Sequence, residues 1–255
     1  MALLVFDSGI GGLSVAREIR ATMPAADLLY VADDAAFPYG DWQEGPLAEH
    51  VVALVSDLIA QAKPEAVVVA CNTASTLVLP ALRKLHAIPF VGTVPAVKPA
   101  AEETRCGHIS VLGTFGTMQR DYTRELIREH AGNCHVRLVG SGNLAPMAEA
   151  HMRGEHVEDA AIWTEIEPAF VERGGLRTDV VVLACTHYPF LLDRFRRLAR
   201  WPVTWIDPAP AIARRVMTVA SGVAHGGGRG RAYLTSGKSW PAGLAQTLAA
   251  AGLIS

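Results

Sequence analysis

Twice in this chain an unbroken apolar run stops at a cysteine and gives way at once to small polar groups. The first is Ala66-Val67-Val68-Val69-Ala70-Cys71-Asn72-Thr73 and the second is Val180-Val181-Val182-Leu183-Ala184-Cys185-Thr186-His187. A run that is apolar at every position, rather than at every second one, suits a parallel strand covered on both faces. Its abrupt polar ending marks the carboxyl end of the strand, where open α/β sheets hold their ligands. Cys71 to Val91 and Cys185 to Trp205 are both twenty residues, so strand and helix keep their spacing after each cysteine.

The rest of the chain repeats around these two phrases. Leu3 to Phe6 reads as a strand, Asp7-Ser8-Gly9-Ile10-Gly11-Gly12 as a glycine turn, and Leu13 to Ile19 as a helix. A strand over Leu28 to Ala32 follows, then a helix over 46–61 that Lys63-Pro64 ends. After Cys71 the spacing predicts a helix from Leu77 to Leu85 and a short strand at Pro89 to Gly92. In the second half Ile109 to Thr117 answers residues 4–12, with Thr114 near the place of Ser8. Helices are predicted from Tyr122 to His130, from Ala145 to His151 and from Phe190 to Leu198, and strands from His135 to Val139 and from Pro202 to Ile206. Helix, buried strand and helix in alternation define an α/β fold with mainly parallel sheets. The repetition makes it two pseudo-symmetric lobes. Beyond them, the Gly/Arg tract 225–230 is expected to be a solvent loop, Tyr233 to Gly237 a late strand, and Leu244 to Leu253 a helical tail on the first lobe.

Composition narrows the function. The chain has 255 residues, half of them hydrophobic, with a formal net charge of -2. Such a balance gives no reason to expect a nucleic-acid or membrane-surface partner, because phosphate binding needs a clustered positive field. Small molecules are the expected substrates. No apolar run approaches the length of a membrane span, and Met1 to Asp7 carries no basic leader, so a cytoplasmic location is expected. Four cysteines at 71, 106, 134 and 185 lack CxxC spacing, and nine histidines show no metal-site rhythm, so neither a disulfide framework nor a metal is expected.

The chemistry therefore rests on the matched thiols. An ordinary thiol is only slightly ionised near neutrality, and each cysteine is predicted to sit between a strand's end and a helix's start, where amide groups and the helix dipole favour thiolate. A buried cysteine can also be a plain small hydrophobe, but two in matched polar contexts suggest a two-sided proton transfer. Asp7 and Ser8 stand at the end of the first strand; Asp7 could equally cap the helix after it. The G-x-G-x-x-G dinucleotide pattern fails there because Ser14 holds the place of the third glycine. Pro38-Tyr39-Gly40 reads as a rigid loop presenting a phenol and an open backbone, with a plain turn as the alternative. His187, two residues after Cys185, is placed to hold or exchange the thiol's proton. Glu149, in Pro146-Met147-Ala148-Glu149-Ala150, reads as an early-helix residue on an exposed charged face.

Taken together, Asp7-Ser8-Gly9, Pro38-Tyr39-Gly40, Cys71-Asn72-Thr73-Ala74, Gly113-Thr114 through Gly116-Thr117, Cys185-Thr186-His187 and Asp207 to Arg215 resemble the glutamate racemase family, bacterial enzymes that make D-glutamate for peptidoglycan. The resemblance implies a cofactor-independent racemase with its active site in the cleft between two lobes, residues 1–97 with 211–255 forming one and 98–210 the other. It implies that Cys71 deprotonates D-glutamate and Cys185 L-glutamate, with Asp7 assisting the first and His187 with Glu149 the second. Substrate contacts implied are Asp7, Ser8, Tyr39, Gly40, Asn72, Thr73, Thr114, Thr117, Thr186 and His187. A peptidoglycan-precursor activator and a homodimer are partners found in such a family. Asp34 stands where many members have Thr, and Pro208 where Ser is frequent. Competing readings are a racemase for another substrate, such as aspartate or a hydantoin, and a non-catalytic amino-acid-binding or dithiol protein.

Overall fold

A computed structural model describes residues 2–220 and 226–254. It divides into two units, Met1–Thr93 with Ala209–Ser255, and Val94–Pro208. In chain order the first unit runs β1 (Ala2–Asp7), α1 (Leu13–Thr22), β2 (Asp27–Ala32), α2 (Glu44–Ala62), β3 (Ala66–Val69), α3 (Asn72–Leu85) and β4 (Phe90–Gly92). The second contains α4 (Val97–Glu103), β5 (His108–Gly113), α5 (Phe115–Gln119), α6 (Asp121–His130), β6 (His135–Gly140), α7 (Leu144–Met152) and α8 (Asp159–Ile166). It continues with the hairpin β7 (Glu172–Arg173) and β8 (Leu176–Arg177), then β9 (Val180–Ala184), α9 (Leu192–Leu198) and β10 (Thr204–Ile206). The chain returns to the first unit with α10 (Ala209–Val219), β11 (Gly230–Leu234) and α11 (Ala245–Ala250).

The first sheet has the order β11-β2-β1-β3-β4 and the second β10-β9-β5-β6, and every pairing in both is parallel. The two orders are the same design. In each unit the first strand has the second on one side, and on the other the strand that ends in the cysteine phrase. Chain order therefore reverses at β1 and at β5, the topological switch point at which α/β sheets bind ligands.

Continuous apolar strands follow from burial on both faces. On one face of the first sheet Leu4, Phe6, Val67 and Val69 pack against Leu47, Val51 and Val55 of α2 and Val78 and Leu82 of α3. Leu3, Val5 and Val68 are buried as well, while α1 and α10 pack on each other and reach β2 and β4. In the second sheet Ile109, Val111, Val180 and Val182 share a core with Val97, Ala100 and Met118. Each such Val, Leu, Ile, Phe or Met side chain contributes about 1.5–3 kcal/mol on full burial. Among the described residues no helix is long and apolar enough to cross a membrane.

Several elements differ from the sequence reading. The helix after Cys71 starts at Asn72 rather than Leu77, with small polar residues in its first turn and the Thr76 hydroxyl taken up by the Asn72 carbonyl. Cys185 does not open a helix: a turn through Thr186 and His187 leads into a 3-10 segment, Tyr188–Leu191, and α9 begins only at Leu192. Pro189 lies in the first turn of that segment, which closes with i to i+3 bonds from Tyr188 to Cys185 and from Phe190 to His187. The late strand is Gly230–Leu234, an edge strand on β2, and residues 235–237 turn away from it. The tail is a 3-10 turn, Ala242–Leu244, followed by α11 packed on α1. In the Gly/Arg tract His225 lies outside the described residues, whereas the amides of Gly227 and Arg229 are held by Asp27.

Past α11 the chain returns to the sheet, with Ile254 bridging Arg231 in parallel register. Gly230 makes this approach achievable, since a Cβ there would overlap the Gly252 carbonyl oxygen. Gly230→Ala is expected to lower unfolding free energy by about 1–3 kcal/mol in a urea titration; an unchanged midpoint would show that the tail yields without cost.

Candidate active site

The residues singled out above fall into two groups, one per unit. In the first unit Asp7 closes β1 and is fully buried. Its carboxylate accepts the Ser8 amide at 2.7 Å, the Ser8 hydroxyl at 3.3 Å and the Gly12 amide. The turn thus wraps its amides around the acid as an anion nest at the start of α1. Gly12 must be glycine for this, because a Cβ would lie 2.9 Å from Asp7 Cβ and 3.0 Å from Ala70 Cβ. Asp7 consequently organises the turn that leads into α1 while remaining beside Ser8.

Cys71 follows β3, is 6% exposed and stands at the N-cap of the 14-residue α3. The end of β3 is fixed by two hydroxyls, Ser75 Oγ at 2.7 Å and Thr93 Oγ1 at 3.1 Å, both donating to the Val69 carbonyl. The Cys71 thiol lies 3.8 Å from Ser8 Oγ, and the amino end of α3 supplies positive potential that favours its thiolate. Thr73 and Asn72 are buried in the first turn. Neither the oxygen nor the nitrogen of the Asn72 amide has a hydrogen-bond partner among the described residues, a costly condition for a buried amide and one that a polar ligand would relieve.

The Pro-Tyr-Gly loop behaves differently from expectation. Tyr39 is 2% exposed, and its hydroxyl donates to Asp33 at 2.5 Å rather than being presented. Burial and the neighbouring Asp33 carboxylate push this phenol well above its ordinary range, so it stays a donor. What the loop leaves open is main chain: Tyr39–Asp41 is a short 3-10 turn, and the amides of Tyr39 and Gly40 begin it without an intrahelical acceptor.

In the second unit Thr114 and Thr117 follow β5. Thr114 Oγ1 is the N-cap of α5, accepting the Thr117 amide at 3.3 Å, and the two hydroxyls are 3.1 Å apart. Cys185 follows β9 and, with Thr186 and His187, is buried. The Cys185 thiol is 3.8 Å from His187 Nδ1, His187 Nε2 is 3.1 Å from Glu149 Oε1, and Glu149 Oε2 accepts from Arg153 at 3.2 Å. Glu149 is therefore not an exposed early-helix residue. It is in the second turn of α7 and 9% exposed, held inward by the imidazole. Since a carboxylate only accepts, the partners assign the proton to Nε2 and leave Nδ1 to face the thiol as an acceptor. This line of thiol, imidazole, carboxylate and guanidinium can take up the thiol's proton and stabilise the resulting imidazolium.

The remaining cysteines lack such surroundings. Cys106 donates to the Arg177 carbonyl at 3.1 Å, and burial with Asp179 nearby pushes the Cys134 thiol up, away from thiolate. Two residues the sequence reading passed over are Asp33, the acceptor for Tyr39, and His50, which also meets Asp33; the only signal was Asp33's place just before the Pro-Tyr-Gly loop.

A family model described as Asp/Glu/Hydantoin racemase matches residues 13–216. The chain belongs to this family. Within the racemases it is 58% identical over 240 residues to the glutamate racemase of Sinorhizobium fredii, covering 92% of this chain and 90% of that one. The glutamate racemase of Brucella anthropi is 60% identical over 218 residues, 85% of this chain and 78% of its own length. Among solved structures, Escherichia coli glutamate racemase in complex with L-glutamate and the activator UDP-MurNAc-ala superposes with a TM-score of 0.86 at 38% identity, covering 97% of this chain and 92% of that one.

The orphaned amide of Asn72 gives a test that needs no substrate. Asn72→Leu, similar in size and without polar atoms, is expected to raise unfolding free energy of the ligand-free protein by about 1 kcal/mol. A loss of stability in thermal and urea melts would mean that the amide is already satisfied.

Proposed function

We propose that this racemase interconverts L- and D-glutamate by a cofactor-independent two-cysteine mechanism and supplies D-glutamate for peptidoglycan. The observation that carries the reading is the duplicated strand end: each sheet delivers one buried thiol at its switch point, with separate proton-handling groups beside it. The relatives named above, all glutamate racemases, support the choice of amino acid.

Inverting a carbon acid needs a base on one face of Cα and an acid on the other. Cys185 as thiolate takes the α-proton of L-glutamate, its own proton having been held through His187 and Glu149. Cys71 as thiol then delivers a proton to the opposite face, leaving Cys71 as thiolate and Cys185 as thiol. The reverse reaction starts from that state, with Cys71 deprotonating D-glutamate beside Asp7 and Ser8. Asn72, Thr73, Thr114, Thr117 and Thr186 offer the hydroxyl and amide groups that hold the substrate's ammonium and carboxylates. Tyr39 and Gly40 add their backbone amides. Cytoplasmic location, homodimeric assembly and activation by a peptidoglycan precursor belong to the same proposal; the UDP-MurNAc-ala of the Escherichia coli complex supports the last.

The test is incubation of reduced protein with L-glutamate in deuterium oxide without added cofactor, following optical rotation and the α-hydrogen. Loss of rotation with deuterium at Cα is expected; no change, even with precursor added, would overturn the reading, and faster turnover of L-aspartate would reassign the substrate. Cys71→Ala and Cys185→Ala are each expected to cut turnover by about 10²–10⁴-fold, with Cys106→Ala and Cys134→Ala near wild type. Racemisation surviving Cys185→Ala would sink the two-base mechanism. His187→Asn, assayed in both directions, is expected to lower kcat by about 10–100-fold through loss of the proton acceptor at Cys185.

A further inference from the structure

The buried acid Asp33 has no part in the scheme above, yet it gathers three side chains from three separate elements. It is 2% exposed. Its Oδ2 accepts from Tyr39 Oη at 2.5 Å and meets His50 Nε2 of α2 at 2.6 Å, while its Oδ1 accepts from Thr235 Oγ1, in the turn after β11, at 2.7 Å. Its own amide donates to the Asp7 carbonyl at 2.8 Å, which registers the knot against the end of β1. The neighbouring Asp34 takes the amide and hydroxyl of Ser236 at 2.9 and 2.6 Å, so the turn after β11 is held twice. Trp42 stacks on His50 with ring centres 5.2 Å apart, and its Nε1 donates to the Ala36 carbonyl at 3.0 Å. The loop from Asp33 to Trp42 is thus clamped at both ends and at its middle.

We propose that Asp33 is a positioning residue: by engaging the Tyr39 phenol, His50 and Thr235 together, it sets the place of the Tyr39 and Gly40 amides that receive the substrate. The inference rests on the glutamate reading and deepens it. The phenol serves as an anchor, and the loop binds substrate through its main chain. Because ligand binding depends on donors held within fractions of an ångström of their acceptors, loosening the anchor weakens binding while leaving the thiols untouched. Thr235, far along the chain from any residue assigned to the chemistry, becomes part of the substrate loop's support.

The experiment is steady-state racemisation of glutamate by the wild type, Tyr39→Phe, Asp33→Ala, their double variant and Thr235→Val, with circular dichroism as a folding check. Tyr39→Phe keeps both amides and removes only the anchor, and is expected to raise KM about tenfold with kcat within about twofold. Asp33→Ala is expected to do the same, and the double variant no more than the larger single one, since the two share one hydrogen bond. Thr235→Val is expected to raise KM about threefold. Multiplicative effects in the double variant would place the phenol on the substrate and overturn the proposal, as would unchanged KM throughout or a large fall in kcat at constant KM. If Asp33→Ala does not fold, Tyr39→Phe with Thr235→Val asks the same question with the acid in place. An inactive wild type would count against the glutamate reading itself, whereas an active wild type with unaffected variants counts against the positioning role alone.

Discussion

Buried backbone amides and carbonyls must be paired, so a parallel strand covered on both faces can offer chemistry only where its ladder stops. The structure depends on that constraint at two places, the ends of β3 and β9. Each lies beside the strand at which chain order reverses, and each ladder is finished so that a cysteine follows at once, two residues past Val69 in β3 and directly after Ala184 in β9. At β3 the finishing is visible in detail: the Val69 carbonyl takes two hydroxyl donors, Ser75 of α3 and Thr93 just past β4. Local chain geometry, set by core packing, is what places the thiols.

From the same scaffold the two units build different surroundings. Cys71 has a helix amino end, a serine hydroxyl and an acid bound by its own turn. Cys185 has no helix start and has instead a hydrogen-bonded imidazole and carboxylate. One arrangement sets the thiol at a helix amino end, and the other sets it beside a proton acceptor. On the proposed reading, the two enantiomers of the substrate have equal free energy in water, so no difference between the two flanks can shift the final ratio from one to one. In that scheme the asymmetry acts only on barriers and on which thiol holds the proton at rest.

Much of this was legible in the residues, and the exceptions share a cause. The two cysteine phrases, the glycine turn and the parallel alternation could be read because continuous apolar runs and Gly-rich breaks are local signals. Glu149 could not be read, since its role comes from His187, 38 residues further on, which draws it inward. Tyr39 was expected to present its phenol; the acid that captures it, Asp33, is identifiable as a partner only once β2, α2 and β11 meet. A 3-10 turn, Tyr188–Leu191, stands where a helix start was predicted, and Gly174 and Gly175, both at positive φ, turn the small β7–β8 hairpin that the periodicity did not show. Short elements lack enough residues to declare a period.

The two units also differ in how the chain supplies them. The second is one continuous stretch, whereas the first is interrupted by it and is completed by α10, β11 and α11. On a ribosome the chain emerges amino end first, and domains fold as their residues appear. The second unit can therefore close while the first still lacks an edge strand, and the exposed side of β2 must wait for Gly230–Leu234. Asp33 waits with it, because Thr235 follows it by 202 residues. The loop made early in synthesis gains its last support near the end, and closing so long a separation adds loop-closure entropy to the assembly of this unit.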